Sequence, residues 1–158
     1  MKINFPFNFQ LRVYFSSLEK REGACSKIFG QEDKHIALWD FDNSDLTTIK
    51  ASLRLIQLWY QLPAIYIVSS SLNRFHAYCF TARTLREVIT ILSATPEIDT
   101  KYLRLGMVRG YYTLRISPRK YDKFVLIEKL ASYIQDEVNP LDISINDYMT
   151  INKGDKNG

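Results

Sequence analysis

The chain has 158 residues, a length typical of one domain that buries a hydrophobic core of its own. Apolar residues make up 46% of it and charged residues 24%, a globular composition that excludes general disorder. Cys25 and Cys79 lie far apart and form no CxxC motif, so the sequence predicts no zinc site, iron–sulfur cluster or disulfide framework.

The formal net charge of +4 is unevenly distributed along the chain. Residues 74–123 include ten Lys or Arg and only four acidic residues, an excess that favours a surface facing phosphates. The alternative is an ordinary solvated surface with its charges spread around the domain. Aromatic residues reach 13%, which permits base stacking, although we expect most of them to fill the core.

No stretch approaches the roughly 18 consecutive apolar residues that a membrane span requires. The first residues also lack the layout of a signal peptide, so we expect a cytoplasmic protein without membrane association. The domain is predicted to cover residues 1–138, followed by a polar C-terminal tail over residues 139–158.

The first readable element is an apolar strand over residues 36–41. It ends at a polar stop, where Asn43 or Ser44 is the expected cap of an amphipathic helix over residues 45–61. The acidic residues of this region therefore stand at the carboxyl end of a strand.

A hairpin and a second helix follow. Residues 64–69 and 74–80 read as two strands around a serine-rich turn. Thr84 and Glu87 fit a capping box that opens a short helix, which ends before Pro96. The predicted order up to this point is strand, helix, hairpin, helix.

The remaining chain is harder to assign. Gly106 and Gly110 indicate closely packed backbone, and residues 111–117 alternate in the manner of a strand. Residues 124–138 fit a terminal helix, although their apolar start fits a strand equally well. The whole pattern predicts an α+β domain.

Asp40 and Asp42 stand one residue apart in the run LWDFD, at the end of the first predicted strand. Side chains so spaced share one face of a strand about 7 Å apart, so both can reach the same hard cation, Mg²⁺ or Mn²⁺. The alternative is that Asp42 caps the next helix and Asp40 is an exposed acid. An acid inside an apolar strand is costly unless a positive group meets it, which favours the metal site.

His76 lies on the second strand of the predicted hairpin, and Arg74 shares its face. Hydroxyls of Ser69 and Ser70 precede them in the turn, and this set could bind a triphosphate whose metal lies on the aspartates. The alternative is a structural histidine with no ligand. Further candidate nucleic-acid contacts are Arg104, Arg115, Arg119 and Lys120.

The order of these segments resembles the archaeo-eukaryotic primase-polymerase superfamily. That family has a DxD motif on an apolar strand, a serine and histidine motif on a hairpin, and a third motif of an apolar residue with Asp. Asp40 and Asp42 match the first motif, His76 matches the second and Asp99 matches the third. The resemblance covers residues 36–117.

The resemblance implies a single domain with an RRM-like antiparallel or mixed sheet covered by helices. It implies that Asp40, Asp42 and Asp99 hold Mg²⁺ or Mn²⁺ and that the segment from Ser69 to His76 holds the incoming nucleotide. The implied activity is that of a primase-type nucleotidyltransferase. Its partners would be DNA or RNA, nucleoside triphosphates and other replication proteins.

Two other functions use the same residues. Acids, a histidine and a cation also build metal-dependent nucleases, which cut a phosphodiester instead of forming one. A non-catalytic accessory subunit could bind nucleotide or single strands through the aromatic and arginine side chains alone. The sequence leaves these alternatives open.

Overall fold

The computed structural model describes residues 2–4, 10–12, 17–42, 44–116 and 124–152. The described part contains three α-helices, which are α1 (Leu46–Trp59), α2 (Leu85–Ser93) and α3 (Thr100–Arg109). Its strands are β1 (Lys2–Asn4), β2 (Gln10–Arg12), β3 (Ser17–Ile28), β4 (Gln31–Asp42), β5 (Ile65–Ser71), β6 (Arg74–Arg83), β7 (Thr113–Arg115), β8 (Val125–Leu130) and β9 (Ile143–Asn152). A 3-10 helix spans Pro140–Asp142.

Seven strands form one antiparallel sheet in the order β7-β3-β4-β6-β5-β8, and β9 pairs with β3. Strands β1 and β2 pair with each other in a separate two-stranded sheet. Strand β6 lies between β4 and β5 and is antiparallel to both, so the unit β4-α1-β5 is a split β-α-β arrangement. The prediction of an α+β fold with a helix-covered sheet is confirmed.

The core lies on the face of the sheet that carries Trp39 and Phe41 of β4. Both side chains are fully buried, and the indole Nε1 of Trp39 donates a hydrogen bond of 2.9 Å to Oγ1 of Thr95. They belong to one hydrophobic cluster with apolar residues of α1 and α2, including Ile49, Leu53, Val88 and Leu92. Because side chains alternate along a strand, Asp40 and Asp42 lie on the opposite face.

The first two helices form close to where the sequence predicts them, but the first cap is different. Asp45 caps α1, and its side chain accepts a hydrogen bond from the backbone N–H of Thr48. Ser44 does not have this role; it is buried, and its hydroxyl donates to Glu97. Asn43 lies outside the described residues. The alternative that Asp42 caps this helix is therefore wrong.

The second half of the chain differs more from the prediction. Residues 100–109, which the sequence pattern left unassigned, form α3. The region 124–138 opens with β8, so its apolar start is a strand and no helix follows. The predicted polar tail contains β9, whose residues pair along most of β3. The pairing partner of β9 lies more than 100 residues earlier in the numbering, where no local pattern could reveal it.

Candidate active site

Two cross-strand pairs stand side by side where β4 meets β6. Asp40 lies opposite His76 and Asp42 lies opposite Arg74, so all four side chains share one face. The Arg74 Nε atom is 3.4 Å from Oδ1 of Asp42, and the His76 Nε2 atom is 3.6 Å from Oδ1 of Asp40. The structure thus brings together four residues that the sequence singled out in two separate segments.

Asp40 is held in an environment that disfavours its charge. Its pKa is raised to about 7, mainly by burial and also by the negative charges of Asp42 and Asp99. The positive charges of Arg74 and Arg115 act in the other direction without cancelling these effects. The group therefore changes its protonation near neutral pH.

His76 is almost completely enclosed, with 7% of its side chain exposed. Its pKa is lowered to about 3, mainly by burial and also by the positive charge of Arg115. The imidazole is therefore neutral near pH 7, and its contact with Asp40 is a polar contact longer than a normal hydrogen bond, not an ion pair. The rings of Tyr78 and Phe124 lie 6.5 and 5.8 Å from it.

One nitrogen of this histidine is an exception to normal polar packing. Its Nδ1 atom is buried and has no hydrogen-bond partner among the residues that the structure describes. Buried polar atoms nearly always have a partner, because an unpaired one costs about 1–3 kcal/mol. A structural histidine in a finished core would be expected to have both nitrogens bonded, so the unpaired Nδ1 of His76 favours a ligand here.

Asp99 lies beside the same site, at the start of α3. Its backbone N–H donates a 2.9 Å hydrogen bond to the carbonyl of Asp40, which fixes the start of α3 beside β4. Its carboxylate caps α3 by accepting from the backbone N–H of Lys101 at 2.8 Å. Asp99 is thus close enough to influence the pKa of Asp40, but one of its oxygens already has a structural role.

The two serines of the turn serve the hairpin itself. Ser69 lies opposite Phe75, on the face away from His76, and its hydroxyl contacts the carbonyl of Ser71 at 3.4 Å. Ser70 is buried and donates to the carbonyl of Arg74 at 3.3 Å. Neither hydroxyl is directed by these contacts toward the aspartates.

The candidate basic residues occupy different positions. Arg115 on β7 is near the paired acids, since its charge affects both Asp40 and His76, and its guanidinium lies 5.3 Å from the centre of the Phe124 ring. Arg104 is exposed on α3. Arg119 and Lys120 lie outside the described residues.

A cleft of about 190 Å³ opens on the other side of β4 from His76. Asp40 and Asp99 line it, and Lys101 and Arg109 of α3 lie at its walls. These two cations were not singled out as site residues, although both contribute to the basic excess of residues 74–123. Phe124 was also missed, because a lone aromatic residue in an apolar run gives no functional signal.

The chemistry of this donor set fits a hard divalent cation. Mg²⁺ binds through one or two carboxylates and completes its shell with water and substrate phosphates. Asp40 and Asp42 offer oxygens on one face, and a cation would relieve their mutual repulsion. Within the described part of the chain, no three Asp, Glu, His or Cys side chains already converge as ligands. A site formed by Asp40, Asp42 and Asp99 together stays a prediction.

Comparisons with known proteins add no relative. No protein-family model matches the chain, and neither a curated protein nor a solved structure matches it. Across the described residues, none of the helices is both long and apolar enough to cross a membrane.

Proposed function

We propose that this chain is a metal-dependent nucleic-acid-processing domain of the primase-polymerase type. It would join nucleotides by displacing pyrophosphate from a nucleoside triphosphate with the 3′-hydroxyl of a strand. The observation that carries the proposal is the pair of adjoining contacts Asp40 with His76 and Asp42 with Arg74 on one face of the sheet. This arrangement places anionic and cationic groups next to each other, as a metal-bound triphosphate requires.

In this proposal Asp40 and Asp42 hold Mg²⁺ or Mn²⁺. When bound, the ion supplies positive charge to the phosphates during in-line displacement. Arg74 exchanges its present partner Asp42 for a phosphate oxygen, since both side chains are 38% exposed and an exposed ion pair is worth only about 0–1 kcal/mol. Arg115 adds a second positive charge at the same face.

His76 is proposed to contact the triphosphate through its unpaired Nδ1. A neutral imidazole can donate one hydrogen bond from this nitrogen, which would satisfy the buried atom when the nucleotide is present. The rings of Tyr78 and Phe124 lie beside the imidazole, which would turn its Nδ1 toward the nucleotide on binding. Asp99 positions Asp40 through the hydrogen bond between their backbones. Its carboxylate would serve as an additional ligand of the ion.

The proposal is tested with the double variant Asp40→Asn and Asp42→Asn in a primer synthesis assay that contains Mg²⁺ and nucleoside triphosphates. Product formation is expected to disappear while the far-UV circular dichroism spectrum stays that of the wild type. Glu32→Gln, which removes an exposed carboxylate from the same strand, is the matched control and should retain synthesis. Undiminished synthesis by the double variant would exclude these acids as the metal site. Strand shortening without triphosphates would instead identify a nuclease.

A non-catalytic binding domain is the second candidate. It is favoured by the lack of three converging metal ligands in the described residues and by the structural role of the Asp99 carboxylate. In that case single-strand binding would depend on salt and would survive loss of Asp40 and Asp42. Under either function we propose a cytoplasmic protein that works with other replication proteins.

A further inference from the structure

The cleft beside Asp40 is a second part of the same site. Strand β4 has β6 on one side of Asp40, which brings His76 and Arg74. On the other side, the described pairs between β3 and β4 end at His35, and the Asp40 carbonyl is bonded to Asp99 instead. The cleft occupies this opening.

Close packing of α3 against Tyr112, the residue before β7, shapes the cleft. A Cβ atom added to Gly106 would lie only 2.0 Å from a ring carbon of Tyr112, so only glycine permits this approach. Tyr102 is fixed by a 3.0 Å hydrogen bond from its hydroxyl to the carbonyl of Leu38. Tyr111 lies at the edge of the cleft, with Lys27 Nζ 5.1 Å from its ring centre. The walls of the cleft are thus fixed by the packing of the helix.

The charge of the cleft suits a strand backbone. Lys101 and Arg109 line it, and both are exposed and have no carboxylate partner within the described chain. Helix α3 also carries Arg104 and contains no acidic residue. Cations without partners bind phosphates at the lowest cost, because no existing ion pair must be broken.

The size of the cleft suits one nucleotide end and not a larger ligand. Its volume of about 190 Å³ is below the range of about 300–1,000 Å³ for sites that enclose a drug-sized molecule. A terminal sugar with part of its base would enter, while the preceding phosphates would lie outside along α3. Tyr111 offers a ring at the edge on which a base could stack.

In-line displacement requires the attacking oxygen and the leaving group on opposite sides of the phosphorus. The 3′-oxygen forms a bond to the α-phosphorus, the bond to the bridging oxygen of the β-phosphate breaks, pyrophosphate leaves, and the hydroxyl proton passes to water. With the α-phosphorus at the metal on Asp40 and the leaving pyrophosphate toward His76, the attacking strand would approach from the opposite side of Asp40. The cleft lies on that side.

We infer that this cleft binds the 3′-terminal nucleotide of the acceptor strand, with Lys101 and Arg109 on its phosphates. The inference rests on the proposed nucleotidyltransferase function. It assigns the acceptor strand and the triphosphate to different sides of β4, so that binding of the two substrates is separable by mutation.

The test is the double variant Lys101→Ala and Arg109→Ala, with Arg86→Ala on the exposed surface of α2 as the matched control. Fluorescence anisotropy measures binding of a 5′-labelled single-stranded oligonucleotide over a range of salt concentrations. The double variant should bind at least tenfold more weakly and lose about 1.4 from the slope of log K against log salt, which corresponds to two phosphate contacts. Binding of a labelled nucleoside triphosphate with Mg²⁺ should change less than twofold.

A crosslinking experiment locates the strand end directly. An oligonucleotide with 4-thiouridine at its 3′-terminus should crosslink to wild-type residues 100–113. Crosslinks confined to other segments, unchanged strand affinity of the double variant, or an equal loss of triphosphate affinity would each overturn the inference. If the wild type binds the strand in this cleft but synthesises no product, the proposed function fails and the strand site remains. If it synthesises product and the double variant binds the strand normally, the function remains and the strand site fails.

Discussion

Replacing Asp40 by Asn is expected to stabilise the metal-free protein at pH 8 and to leave its stability almost unchanged near pH 4. The folded protein raises the pKa of this carboxyl from 3.8 to about 7, mainly through burial. The unfolded chain releases the proton near the ordinary pKa, whereas the folded chain retains it. The contribution of this carboxyl to the free energy of unfolding is therefore fully present below pH 3.8, and it is lost as the pH rises through about 7.

The expected size of the effect follows from this difference. A rise of the pKa from 3.8 to about 7 corresponds to about 4 kcal/mol at pH 8. The side chain retains 25% exposure, so solvent screening makes this value an upper limit. Asn keeps nearly the same shape and carries no charge, so Asp40→Asn should recover at least about 1 kcal/mol of it.

His76 has the opposite pH dependence. Its pKa is lowered to about 3, so its contribution is complete above pH 6.5 and is lost as the pH falls toward 3. Between pH 4 and 6.5, a rise in pH lowers the stability of the wild type through Asp40 and raises it through His76. Comparing the variant with the wild type at each pH separates them, because both proteins contain His76.

Urea unfolding at pH 4, 6 and 8 in the presence of EDTA measures the effect. The gain in unfolding free energy should grow from near zero at pH 4 to its full value at pH 8. Glu32→Gln is the control for removing a carboxylate from β4, and it should show no such growth. An Asp40→Asn variant that is no more stable than the wild type at pH 8, or that gains as much at pH 4, would contradict the predicted pH dependence.

Three further predictions concern other parts of the molecule. Gly106→Ala should lower the unfolding free energy by about 1–3 kcal/mol through its clash with Tyr112, although alanine normally favours helices; a more stable variant in urea unfolding would contradict this. Asp99→Asn should keep the thermal midpoint, because Asn also caps helices, and a loss of primer synthesis in that variant would then report on the charge alone. Cys25 and Cys79 are buried with raised pKa values, so neither thiol should react with Ellman's reagent until urea unfolds the chain; rapid labelling of the native protein would be inconsistent with the structure.

Elements with strong local signals agree with the structure. The capping box of Thr84 and Glu87 is present as expected, because its hydrogen bonds join residues three apart. The hairpin and the shared face of Asp40 and Asp42 follow from strand alternation, which also needs no distant contact.

Helix α3 shows why other elements could not be predicted. Its apolar residues Leu105, Met107 and Val108 are exposed, and its inward side consists of the partly buried Tyr102 and Leu103 and of Gly106. The pattern therefore lacks the apolar stripe by which a helix is recognised in a sequence. Contact with Tyr112 holds this helix in place, and that contact exists only in the folded chain.

The alternation of side chains along the strands was enough to predict that two aspartates share a face, as do a histidine and an arginine. The pairing of Asp40 with His76 and of Asp42 with Arg74 arises only in the folded chain, since this register is set by burial of Trp39 and Phe41 under the helices. The pKa values of Asp40 and His76 also depend on the tertiary structure, because burial and the charges of distant segments produce them. The cleft depends on it as well, since its lining comes from separate segments of the chain.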